Sequence, residues 1–130
     1  KGCVYHTGEV TCVVVVGRHA FSGSADGSVR PWNVFNPSCE GVLPGHVEGV
    51  ECMCVADDGA SSPEPTILAV AARDGGIRIW MVEREDYACL VILRCPEPQT
   101  VVTCICFDPD FPCLYACCNI TDKKGKVSMH

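Results

Sequence analysis

The chain has 130 residues, 48% of them hydrophobic and 20% charged, with a formal net charge of −6 and a pI of about 5.0. That is the length of one ordinary domain with enough apolar content for a core, and it argues against a disordered tail. The acidic balance argues against nucleic acid or an anionic membrane as main partner, since both require a basic face, and no apolar run approaches the roughly 20 residues that span a bilayer.

In chain order, the first predicted strand is Val10-Thr-Cys-Val-Val-Val15, continuing into Val16. Extended, it places Val10, Cys12, Val14 and Val16 on one face by the period of two. Val13 and Val15 make the other face apolar as well, the pattern of a strand buried on both sides. Ala25-Asp-Gly-Ser28 reads as a tight hairpin turn with glycine supplying positive φ. The polar connection Asn36-Pro-Ser38 follows.

The second apolar strand is Val50-Glu-Cys-Met-Cys-Val55, and Asp57–Thr66, with Pro63 and Pro65, reads as a long loop. Arg73-Asp-Gly-Gly76 repeats the tight turn, and Glu83 to Asp86 forms another polar connection. The third apolar strand is Val102-Thr-Cys-Ile-Cys-Phe107. The three runs align without gaps, with Cys12, Cys52 and Cys104 in register. Asp26-Gly-Ser-Val-Arg-Pro-Trp32 aligns with Asp74-Gly-Gly-Ile-Arg-Ile-Trp80, and Gly125-Lys-Val-Ser-Met-His130 is a decayed third copy. Nothing shows a helical stripe. Short strands in repeats of about 40 to 50 residues predict four-stranded propeller blades.

The repeats resemble the WD-repeat family. His6-Thr-Gly-Glu-Val-Thr, then Phe21-Ser-Gly-Ser-Ala-Asp-Gly-Ser-Val-Arg and Trp32 carry the likeness in the first. Gly45-His46, then Asp74 and Trp80 carry it in the second. Departures are Tyr5 for the glycine before the first His, Asn33 and Met81 for the Asp that follows each Trp, and Pro98 and His130 at the third copy's His and Trp positions. The fold implied is all-β: four-stranded antiparallel blades of a WD-type β-propeller, about two and a half in number and an incomplete propeller. The blades are expected at 1–45, 46–97 (with the loop 57–66) and 98–130, the last partial and degenerate.

The resemblance also implies a buried hydrogen-bond chain from Trp through a hydroxyl and His to Asp. In the first blade it would run Trp32, Ser22, His6, Asp26. The donor inventory closes: an indole only donates, a hydroxyl accepts and donates, and a neutral imidazole does one of each. In the second blade, His46, Asp74 and Trp80 recur, but Val70 stands at the hydroxyl position, so Val70→Ser is expected to stabilise it.

His6, Asp26 and Ser22 have the composition of a hydrolase triad. With the hydroxyl occupied by an indole and no G-x-S-x-G elbow, the structural reading is preferred. Twelve cysteines match the density of a disulfide scaffold. Their positions inside apolar strands instead favour reduced core thiols, with disulfides or an interblade metal site between Cys52, Cys54, Cys104 and Cys106 as alternatives.

The function expected is a non-catalytic scaffold for protein–protein interaction. The resemblance implies a binding rim that would carry Thr7, Glu9, Glu48 and Arg73, Arg73 foremost, with the Asp57–Thr66 loop on the opposite rim. Alternatives are a regulatory domain of a larger multidomain enzyme and a cysteine-dependent metal or redox module. No cofactor, nucleic acid or membrane is expected. The partners expected are other proteins, and further blades in the same chain or an oligomer, in a cytoplasmic or nuclear setting.

Overall fold

The computed structural model describes residues 5–36, 38–43, 48–56, 67–82, 87–94, 100–108, 110, 113–121 and 127–129. Among them lie eleven strands and no helix. Val10–Val16 (β1), His19–Ser24 (β2), Val29–Asn33 (β3) and Ser38–Cys39 (β4) form one antiparallel sheet in chain order. Val50–Ala56 (β5), Ile67–Ala72 (β6), Gly76–Met81 (β7) and Ala88–Arg94 (β8) form a second. Thr100–Phe107 (β9), Leu114–Thr121 (β10) and Val127–Met129 (β11) form a third of three strands.

Sequence explains the elements. β1, β5 and β9 are dense in Val, Ile, Thr and Cys, side chains that fit a pleated, half-buried surface. The β2–β3 and β6–β7 turns close on Gly27 and Gly75, with φ of 85° and 79°, where a Cβ would be strained. Gly27 N–H donates to the Ser24 carbonyl and Gly75 N–H to the Ala72 carbonyl, each at 3.1 Å.

The sheets stack through their leading strands, β1 beside β5 and β5 beside β9. Two apolar seams result. Phe21, Val29 and Leu43 of the first sheet meet Val50, Met53, Val70 and Trp80 of the second. Ala69, Ala71, Ile77 and Ile79 then meet Val102 and Ile105 of the third.

Two expectations for β1 fail. A register shift between Val10 and Cys12 inserts Thr11 as a bulge, and a one-residue slip moves a side chain to the opposite face. Val10 therefore leaves the face of Cys12 and Val14, both of which pack on the first seam. Nor is β1 buried on both sides. Val10, Val13 and Val15 are 50%, 59% and 61% exposed, whereas Val50 and Met53, at the equivalent places in the second sheet, are 0% and 8% exposed. The difference is neighbours: β5 lies between two sheets, and β1 has one on a single side.

Candidate functional site

The first sheet gathers its polar side chains at the end where β1 begins and β2 turns into β3. The Trp32 indole donates to Ser22 Oγ at 2.8 Å, and the Ser22 hydroxyl donates to His6 Nε2 at 2.6 Å. In this arrangement Nδ1 of the ring carries a proton, because the Ser28 hydroxyl is committed to Asp26. That N–H donates to Ser28 Oγ at 2.9 Å and lies 3.3 Å from Asp26 Oδ2. The Ser28 hydroxyl donates to Asp26 Oδ1 at 2.6 Å.

Ser28 is the member the sequence reading missed. Its signal was present: in Asp26-Gly-Ser28 an Asp side chain accepts from the backbone two residues on, here Ser28 N–H to Asp26 Oδ1 at 2.8 Å. Thr7 N–H also donates to Asp26 Oδ2, at 2.9 Å. Burial alone would raise the Asp26 carboxyl. The bonds from Ser28 and Thr7 and the nearby His6 outweigh it and hold the group well below the usual carboxylate range. The Ser22 hydroxyl thus accepts from an indole and donates to an imidazole, joining Trp32 to His6.

In the second sheet the arrangement differs. Val70 occupies the place of Ser22, fully buried in the first seam with Met53 and Trp80. Asp74 accepts from Gly76 N–H at 2.8 Å and faces Arg78 at 3.9 Å. His46 lies outside the described residues, as do Pro98, His130 and the whole of Asp57–Thr66.

The rim candidates gather at the same end. Ala25 N–H donates to the Glu9 carbonyl and Arg73 N–H to the Gly49 carbonyl, both at 2.8 Å, so each Asp-Gly turn is tied to the segment leading into its sheet. Thr7, Glu9, Glu48 and Arg73 are all exposed. The Arg73 guanidinium is engaged within the chain, Nε donating to Glu51 Oε1 at 2.6 Å.

All ten described cysteines are free thiols. Cys52 and Cys54 face the second seam, and burial, followed by neighbouring thiols, pushes them up to about 11 and about 12. Cys104 and Cys106 are exposed, contrary to their reading as core residues, because among the described residues no sheet covers that side of β9. Among the described residues no three potential ligands converge on one point.

A family model, WD domain, G-beta repeat, matches residues 3–33, 37–81 and 88–127. The chain belongs to the WD-repeat family. It is 25% identical over 119 residues to an uncharacterized WD repeat-containing protein of Schizosaccharomyces pombe, covering 86% of this chain and 30% of that protein. It is 30% identical over 93 residues to a bromodomain and WD repeat-containing protein of Dictyostelium discoideum, covering 70% of this chain and 4% of that one. Among solved structures, that of U3-55K superposes with a TM-score of 0.71 at 21% identity, covering 97% of this chain and 40% of its own. At that identity the likeness concerns the fold, a WD-repeat propeller. The WD-repeat chain described here thus spans less than half the length of these proteins.

Proposed function

We propose that these WD-repeat blades belong to a larger propeller that acts as a non-catalytic scaffold, holding protein partners on the rim of Thr7, Glu9, Glu48 and Arg73. The observation that carries the reading is the pair of turn-to-loop bonds, Ala25 to Glu9 and Arg73 to Gly49. They make successive blades present exposed side chains from a fixed backbone, and pre-organised surfaces lose less entropy on binding. The Ser22 hydroxyl and the His6 imidazole are hydrogen-bonded into one network with Trp32, Ser28 and Asp26, as a structural role requires.

Further blades on both sides are part of this proposal. The exposed Val13 and Val15 match positions that bury against a preceding sheet elsewhere in the chain. An open cavity of about 450 Å³ beside them is lined by Tyr5, His6, Val10, Val13, Ser22 and Trp32, and a preceding blade would fill it. The test is affinity purification of the full-length protein against its Arg73→Glu and Glu48→Lys variants. Loss of at least tenfold in co-purifying protein, with an unchanged melting curve, supports the rim. Retention of every partner by both variants rejects it.

A further inference from the structure

At the opposite end of the first sheet, the β3–β4 turn holds a side chain the scaffold reading does not use. Phe35 is 78% exposed, yet its backbone is tightly fixed. Asn33 Oδ1 accepts from Phe35 N–H at 2.9 Å and from Asn36 N–H at 3.1 Å, and Val34 N–H donates to the Arg18 carbonyl at 2.9 Å. An aromatic displayed on a backbone already held by hydrogen bonds costs less entropy to dock against.

The Arg18 guanidinium lies over the Phe35 ring at 6.0 Å from its centroid, within cation–π range. The nearby acid does not neutralise it. Glu40 faces His19 Nε2 at 2.9 Å through Oε2 and takes the Asn33 amide at 3.5 Å through Oε1. Among the described residues no carboxylate lies within ion-pair distance of Arg18. Asn33 is central: it stands where the family has Asp, and its amide, unlike an ionised carboxylate, can both cap the turn and donate to Glu40.

We propose that Phe35 and Arg18 form a second docking point, on the rim opposite the first, for an extended acidic segment of a partner protein that carries an apolar side chain. Charge complementarity selects this occupant. The guanidinium plane presents paired donors to a carboxylate, while the uncovered face of the ring takes an aliphatic or aromatic neighbour. The overall charge of −6 opposes diffuse attraction of an acidic chain, so binding must come from this local cation and ring.

The experiment uses the full-length protein and a fluorescein-labelled peptide, Glu-Glu-Leu-Phe-Glu-Glu, read by anisotropy, with a peptide bearing Lys for every Glu as control. The acidic peptide is expected to bind and the basic one not. Phe35→Ala and Arg18→Glu are each expected to weaken binding at least tenfold without moving the melting curve, whereas Arg73→Glu on the first rim leaves it unchanged. Absence of binding, equal binding of the basic peptide, or weakening by only one of the two substitutions overturns the proposal. Self-association abolished by Phe35→Ala would assign the patch to a second copy and overturn it as well.

Discussion

The Thr11 hydroxyl reaches from β1 to the Val50 carbonyl on β5, 2.6 Å away in the next sheet. It is also 3.2 Å from the Gly23 carbonyl of its own sheet. Thr11 can do this because it is the bulged residue between Val10 and Cys12, and a bulge re-aims the side chain it carries. Thr103 occupies the same place in the third sheet, its hydroxyl donating to the Cys117 carbonyl at 3.2 Å with its exposed side open to a further sheet.

Thr11→Val keeps the shape and removes the donor. Leaving a partly buried carbonyl without its partner should cost about 1–2 kcal/mol, read as a lowered midpoint in urea unfolding of the full-length protein. Thr103→Val in the same assay tests whether another blade accepts from that hydroxyl. An equal loss would support such a blade, and no change would speak against it.

Ser22 joins Trp32 to His6, so Ser22→Ala breaks two bonds at once and is expected to cost about 1–3 kcal/mol. For the second sheet, the packing around Val70 weighs against the sequence-based expectation that Val70→Ser stabilises it. Val70 is completely buried among Met53, Leu68 and Trp80, so Val70→Ser removes packed methyl groups and places a hydroxyl in an apolar seam. Destabilisation of about 1–3 kcal/mol is expected, and a higher melting temperature would restore the original reading.

The Asp26 carboxyl is held below its ordinary range in the folded protein, while the unfolded chain has a carboxyl near the usual value of about 3.9. A depressed folded value stabilises above the unfolded one, and that contribution is lost as pH falls toward the folded value. The stability gap between the wild type and Asp26→Asn should therefore be full at pH 7 and narrow steadily below about pH 4. A gap independent of pH from 7 to 2.5 would show that the carboxylate charge contributes nothing.

Burial raises Cys52 to about 11 and Cys54 to about 12, so their thiolate fraction at pH 8 is very small. Cys89 and Cys113 are exposed. Alkylation by iodoacetamide at pH 8, followed by peptide mass spectrometry, should label Cys89 and Cys113 at least tenfold faster than Cys54. Comparable rates would mean that the second seam opens in solution.

The repeat determined most of the fold. Three apolar runs in register, the Asp-Gly turns and the two tryptophans were enough to read antiparallel blades, because strand period and turn chemistry are local properties. The chain Trp32–Ser22–His6–Asp26 was readable only through the resemblance to the WD-repeat family, which implies such a network at those positions. Tertiary structure alone decided the rest. The Thr11 bulge moved Val10 to the other face, and Arg73 paired with Glu51. Cys104 and Cys106 came to lie in the open although Cys52 and Cys54, at the same repeat positions, are packed. Each of these depends on which strand lies alongside, and identical residues are buried or exposed according to whether a neighbouring sheet excludes water from them.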